Sequence, residues 1–295
     1  MNTKLNAAEA DAFTEMPLVT VYMPTHNRVE LLQRAVESVL TQTYENIELI
    51  IVDDKSTDST PEYLEAISKK DPRVRFFRNE ENSGACVSRN KAIFAAKGEF
   101  ITGLDDDDYF LEGHIASFLK KWSMKDKVTI ALYTNIYRKT SKGIKKAYKK
   151  IKKCKAEYLI HSNWLGNQVF TKTEYLIQSG GFDPDFPAWQ DLDCWYSLLN
   201  TLEGIAESTQ EYSYVLDISH PHERISNNKI DVASLAYNVF CKKHELCPTD
   251  AKISKLMLVH YGKVKPNIYI SIRSLAKFFN WHNFRRLFIL YYISI

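Results

Sequence analysis

The stretch Glu99-Phe-Ile-Thr-Gly-Leu104-Asp105-Asp106-Asp107-Asp108 decides how the chain is read. An apolar run of strand length ends abruptly in four carboxylates. Four adjacent negative charges repel one another, so placing them at a strand end costs stability unless a cation neutralises them. A hard divalent ion takes oxygen ligands, and Mg²⁺ or Mn²⁺ commonly joins one or two carboxylates to substrate phosphates. The plainer alternative is a solvated acidic turn or a helix cap.

Upstream, the same pattern of strand followed by polar residues recurs. Leu18-Val-Thr-Val-Tyr-Met23 stops at Pro24, Ile47-Glu-Leu-Ile-Ile-Val52 stops at Asp53-Asp54, and Val74-Arg-Phe-Phe77 is a third run. Between them apolar residues fall at helical spacing: Leu31, Leu32, Ala35, Val36, Val39 and Leu40, then Tyr63, Leu64 and Ile67, then Val87, Ala92, Ile93 and Ala96. Asn27 is read as the cap of the first helix, and Ser56, Thr57 or Asp58 as the cap of the second, with Pro61 in its first turn. The alternation β-α-β-α-β-α-β predicts an α/β fold, a mostly parallel sheet with helices on both faces. Ligands of such sheets bind beyond the carboxyl ends of the strands. Thr25, Asp53, Asp54 and Asp105 to Asp108 are therefore expected on one edge.

The later chain is less regular. Val128 to Tyr137 reads as a strand followed by a lysine-rich hairpin or loop, and Leu159 to Phe170 is mixed. Gly180-Gly181-Phe182-Asp183 reads as a turn, Leu192 to Leu202 as a helix opened by Gln190-Asp191, and Tyr212 to Ile218 as a strand. After Lys229 the pattern is helical to the end. The expected division is an N-terminal tail (1–16), a catalytic domain (17–228, split at 110 into nucleotide-binding and acceptor-binding halves) and a helical basic-aromatic extension (229–295).

The net charge of +3 hides an uneven spread. Lys127 to Ala156 holds eleven Lys or Arg and no acid, and Ala251 to Ile295 holds eight and no acid. Such faces favour polyanions, with a solvated lysine surface as the alternative. The five cysteines have no zinc-site spacing; Cys241, His244 and Cys247 read as a helix surface, and a reducing compartment is favoured. No uninterrupted apolar stretch reaches the roughly 18 residues of a spanning helix. A cytoplasmic protein is expected.

Local chemistry narrows the edge further. One of Asp53 and Asp54 would bond a base or ribose and the other would cap a helix. Asn82-Ser-Gly84 opens a helix whose amides favour an anion, Gly84 lets backbone approach it, and Arg89 adds charge at phosphates.

Pro24-Thr25-His26-Asn27-Arg28, Val52-Asp53-Asp54, Asn82-x-Gly84-x-x-x-x-Arg89-Asn90, Asp105 to Asp108, Gly180-Gly181-Phe182-Asp183 and Gln190-Asp191-x-Asp193-x-Trp195 occur in this order. Together they resemble family 2 glycosyltransferases over about Pro17 to Ser226. The resemblance implies a GT-A fold and inverting transfer from a UDP-sugar to a hydroxyl of a saccharide acceptor. It implies Thr25 and Asp53 at the uracil, with Pro24, Asn27, Arg28, Asp54, Gly84, Arg89, Asp105 and Asp106 completing the nucleotide side. Asp105 and Asp107 match the outer positions of the family's Asp-x-Asp, with Asp107 as direct ligand to Mn²⁺ or Mg²⁺, joined by His220 or His222. Asp191 matches the catalytic aspartate, and Gly181, Trp189 and Gln190 stand on the acceptor side. Asp185 and Asp193 are nearby acids able to raise the pKa of Asp191. Gln190 departs from the commoner Glu and removes a charge beside the base.

The tail, Ile268 to Trp281 and Phe284 to Ile295, alternates aromatics with Arg and Lys. It suits helices at an anionic membrane surface, a helix packed on the core, or an oligomer contact. The expected setting is the inner face of a bacterial cell membrane, adding a sugar to a lipid-linked acceptor of lipopolysaccharide, O-antigen or capsule. One rival is a sugar-phosphate nucleotidyltransferase, which would carry a glycine-rich basic loop where Pro24 to Arg28 stands. The other is a non-catalytic nucleotide- or nucleic-acid-binding protein. No nucleic-acid module is visible, and nucleic acid is not an expected partner.

Overall fold

A computed structural model describes residues 16–221, 230–255 and 257–258. The first strands and helices alternate as the sequence predicts: β1 (Val19–Thr25), α1 (Val29–Leu40), β2 (Ile47–Asp53), α2 (Thr60–Lys70), β3 (Val74–Arg78), α3 (Ala85–Phe94) and β4 (Phe100–Gly103). There follow β5 (Tyr109–Phe110), α4 (His114–Ser123), β6 (Thr129–Thr140), β7 (Gly143–Lys146), β8 (Lys153–Lys155), α5 (Ala156–Leu159), β9 (Phe170–Lys172) and α6 (Thr173–Gln178). Then come α7 (Gln190–Thr201), β10 (Ile205–Asp217), α8 (Ile230–Lys243) and α9 (Pro248–Ser254).

The described strands form one sheet of order β3-β2-β1-β4-β9-β6-β10-β5, with β7 on β6 and β8 on β10. β1 to β4 pair in parallel, as does β6 with β10. β9 is antiparallel to both β4 and β6, so the sheet is mixed rather than mostly parallel in its second part.

Every residue of β1 and β2 is buried, which is why both read as unbroken apolar runs. Successive side chains point to opposite faces. Val19, Val21, Met23, Leu49 and Ile51 join one core with Leu32, Val36 and Val39 of α1 and Phe118 of α4. Tyr22, Ile50 and Val52 join the other, with Ile93 of α3 and Leu192, Trp195 and Leu199 of α7. The sheet thus has helices on both faces.

Two expectations need correction. Asn27 does not cap α1; it sits at φ 53° and its Oδ1 accepts from Thr57 N at 2.7 Å, tying the two loops together. The capping acid is Asp58, which serves both helices: Oδ2 accepts from Val29 N at 3.1 Å and Oδ1 from Thr60 N at 3.0 Å. The last sheet strand also begins earlier than Tyr212. Its first half is polar because Glu207 is buried between Thr129 (2.5 Å) and Lys121 (2.9 Å).

The tail 1–15 and segments 222–229 and 259–295, which include His222 and the basic-aromatic stretches, lie outside the described residues. No described helix is long and apolar enough to cross a membrane.

Candidate active site

The carboxyl ends of β1, β2 and β4 open onto a cavity of about 820 Å³, within the range of small-molecule sites. Pro24, Thr25, Arg28, Asp54, Gly84, Arg89, Asp105, Asp106, Asp107, Trp189, Gln190 and Asp191 all line it. Of the edge expected from the strand pattern, Thr25, Asp54 and Asp105 to Asp107 line the cavity and Asp53 and Asp108 do not, and α7 supplies the facing residues.

The acidic run does not act as one block. Asp105 accepts from Arg89 Nη2 at 2.9 Å, Gln168 Nε2 at 3.2 Å and Asn167 Nδ2 at 3.4 Å. Asp106 accepts from Thr25 Oγ1 at 2.8 Å and Arg28 Nη1 at 3.0 Å. Burial nevertheless pushes Asp106 up to about 6; Arg28 opposes the rise and Asp107 adds to it. Asp107 lies 3.5 Å from Arg28 Nη1 and 3.3 Å from His220 Nε2. Asp108 is fully buried and structural: it accepts from Tyr214 Oη at 2.7 Å and Asp217 N at 2.8 Å. Sequence reasoning expected a cation to relieve the repulsion; arginines, amides and a strand edge do much of that work.

Asp53 and Asp54 part company because adjacent residues at a strand end face opposite ways. Asp53 is fully buried, accepts from Ser56 N at 2.9 Å and lies 3.4 Å from Arg78 Nε; it is not among the cavity-lining residues. Asp54 lines the cavity and holds the Asn82-Ser83-Gly84 turn through Ser83 N (2.9 Å), Gly84 N (2.7 Å) and Asn79 Nδ2 (2.8 Å). Gly84 has φ 86°, a conformation that favours glycine, and space beside its α-carbon is open. Asn27 is also off the cavity lining, and Gly181 (φ 67°) abuts Asn90 instead of it.

Arg89 is buried at the centre. Its cost of burial is outweighed by Asp105 and Asp191, which hold it firmly protonated. Its Nε and Nη1 are buried and have no hydrogen-bond partner among the described residues, and the guanidinium lies 5.0 Å from the centroid of the Phe182 ring. Asp191 enters on the first turn of α7, after Trp189 in the left-handed region at φ 61°. Burial pushes the Asp191 carboxyl up to about 7; Arg89 opposes this and Asp105 adds to it. The contributing acid is thus Asp105, not Asp185 or Asp193. Asp193 is buried and occupied by α8, through Lys243 Nζ at 2.8 Å and His244 Nε2 at 2.7 Å. The His244 side chain is correspondingly turned inward, 7% exposed, rather than lying on a helix surface.

Several site residues escaped the sequence reading. His26 bridges Asp54 O (2.8 Å) and Asn82 Nδ2 (3.2 Å). Arg34 donates to Asp107 O at 2.6 Å. Gln168 reaches Asp105 only because position 103 is glycine: a side chain there would meet Gln168 and the Tyr22 ring. The polar triplet Gly166-Asn167-Gln168 just before a strand was the available signal.

A divalent ion is implied by the acidic motif. Asp107, on the cavity wall, pairs a hard oxygen with the imidazole nitrogen of His220 behind it, and this fits an ion that completes its shell with water and phosphate. No group of three or more protein ligands is assembled among the described residues.

The family model described as glycosyl transferase family 2 matches residues 20–177. The chain belongs to that family. It is 36% identical over 236 residues to WcaA of Escherichia coli (strain K12), a glycosyl transferase assigned provisionally to colanic acid biosynthesis, covering 78% of this chain and 82% of WcaA. Among solved structures, the fold is similar to Staphylococcus aureus TarS in complex with UDP-GlcNAc, with TM-score 0.64, 18% identity, and coverage of 86% of this chain and 75% of that one. It is also similar to the mannosyltransferase PcManGT of Pyrobaculum calidifontis in complex with GDP-Man and Mn²⁺, with TM-score 0.58, 17% identity, and coverage of 95% and 86%. The architecture of this glycosyltransferase is the GT-A fold with C-terminal helices, as the resemblance implied.

Proposed function

We propose that this glycosyltransferase transfers one sugar from a UDP-sugar, with inversion, to a hydroxyl of a lipid-linked saccharide acceptor in bacterial surface-polysaccharide synthesis. The observation that carries the reading is the meeting of Asp191 with Arg89 and the Asp105 to Asp107 run in a single cavity. An inverting transfer is one displacement at the anomeric carbon. The acceptor oxygen forms the new bond while the bond to the nucleoside diphosphate breaks. Asp191 takes the acceptor proton, and a carboxyl near 7 is matched to that task at neutral pH. Arg89 and Arg28, both on the cavity wall, supply positive charge against the negative charge that develops on the leaving diphosphate. Asp107 and His220 would hold Mn²⁺ or Mg²⁺, which when bound supplies positive charge to the diphosphate. Thr25, Asp54 and Gly84 form the nucleotide side; Trp189 and Gln190 form the acceptor side.

The pathway reading follows WcaA, and the uridine reading follows the complex of TarS. The enzyme is placed at the inner face of the cell membrane because a lipid-linked acceptor lies there. The test is nucleoside diphosphate release by the purified chain across UDP- and GDP-sugars, with Mn²⁺ or with EDTA. Slow metal-dependent hydrolysis of one UDP-sugar is expected. Hydrolysis confined to a GDP-sugar would move the donor class, and absence of both hydrolysis and UDP binding with Mn²⁺ present would overturn the reading.

A further inference from the structure

β6 and β7 form a hairpin whose second strand pairs only with β6 among the described strands, and every residue of β7 is exposed. Its register sets Arg138 opposite Lys145 and Lys139 opposite Ile144. Like charges directly opposite each other destabilise a strand pair. No acid lies between Lys127 and Ala156 to relieve them. Among the described residues the ion pairs of this segment belong to Lys139, with Asp217 at 3.0 Å, and Lys153, with Asp126 at 2.8 Å and Glu207 at 3.4 Å. None reaches Arg138, Lys142, Lys145, Lys149 or Lys152. At the exposed end sits Ile144, 51% accessible, an apolar residue ringed by cations.

The hairpin adjoins the cavity on the side next to its turn. Ile218 N donates to Lys139 O at 2.9 Å, Leu216 lines the cavity wall, and His220 follows at Asp107. A surface that bound the hairpin would therefore lie beside the acceptor's point of entry.

We propose that the β6–β7 hairpin and the lysines that follow it, residues 138–152, dock on an anionic lipid bilayer, with Ile144 entering the headgroup layer. This rests on the lipid-linked acceptor of the proposed function. Charge complementarity selects the partner: unneutralised cations with one apolar tip match a layer of anionic headgroups over a hydrocarbon edge. The opposed pair Arg138 and Lys145 is then stabilised only when the negative surface is present.

The experiment is co-sedimentation of the full chain with phosphatidylcholine vesicles, plain or mixed with phosphatidylglycerol. Binding is expected to the mixed vesicles alone and to weaken with salt. The combined variant Lys142→Gln, Lys145→Gln, Lys149→Gln and Lys152→Gln is expected to lose about ten-fold or more of that partition, and Ile144→Ser a smaller part. Both should hydrolyse donor in vesicle-free solution as the parent does. Parent-like vesicle binding by the four-lysine variant would overturn the proposal, as would equal binding of the parent to neutral vesicles. If the glycosyl-transfer reading failed, donor hydrolysis would be absent in every variant while vesicle partition still reported on the hairpin.

Discussion

The wall of the cavity built by β1, β2 and β4 ties Asp54 and Asp105 into hydrogen bonds, although burial lifts Asp106 to about 6, whereas the wall built by α7 carries Asp191, pushed further, to about 7. Asp54 and Asp105 each accept three hydrogen bonds from the protein. Asp191 has Arg89 as its nearest compensating charge and keeps a carboxyl pushed to about 7. The first wall fixes shape: its carboxylates organise a turn, an arginine and a loop into a rigid receptor. The second holds a group whose proton can move near neutral pH. In the proposed function, binding and chemistry fall to different strands and helices of the same cavity.

Substitutions separate the two roles. Asp191→Asn keeps size and removes the base, so transfer is expected to fall by about 10³-fold, while donor affinity by calorimetry stays near the parent's. An equal loss of donor affinity would break the division. Asp107→Ala acts on the other wall: metal-dependent UDP binding should weaken by about 10²-fold, and added Mn²⁺ should no longer tighten it. Asp54→Ala removes the acceptor for two backbone amides and Asn79, and a loss of about 3 kcal/mol in chemical denaturation is expected. Unchanged stability would mean that the Asn82 to Gly84 turn holds itself.

The smallest effect is on thermal stability. The fold favours the neutral form of Asp191, so its folded pKa lies above the unfolded value of about 4. Its contribution is present below about pH 4 and is lost as pH rises through about 7. Asp191→Asn is therefore expected to raise Tm by about 2–4 °C at pH 8 and to leave it unchanged below pH 4. A Tm loss at pH 8 would mean that the carboxylate is structural.

The same contrast runs through what could be read from sequence. β1 to β4 were legible because their residues are buried on both faces and the helices between them carry a clear stripe. β5, β8 and β9 are two or three residues long and have no periodicity to show. The start of β10 was hidden because buried Glu207 reads as polar surface and Gln210, at φ 63°, interrupts the strand. In the site, the acids and Arg89 were visible as motifs. Which of Asp53 and Asp54 faces the ligand depends on strand phase at its last residue, and that is set by packing. Asn167 and Gln168 meet Asp105 across more than sixty positions, so the polar stretch before β9 marks them as unusual without saying what they touch. The clamp of Lys243 and His244 on Asp193 is equally distant and moved Asp193 from the base's neighbour to the anchor of α8.

The central claim is that Asp191 is the base, and the pH dependence of kcat/KM tests it most directly. For the unaltered enzyme with its donor and acceptor, the rate is expected to rise with pH and level off, with a midpoint near the value of about 7 to which burial raises this carboxyl. In Asp191→Asn the residual rate should lose that rise. The same ascending limb in both proteins would contradict the account.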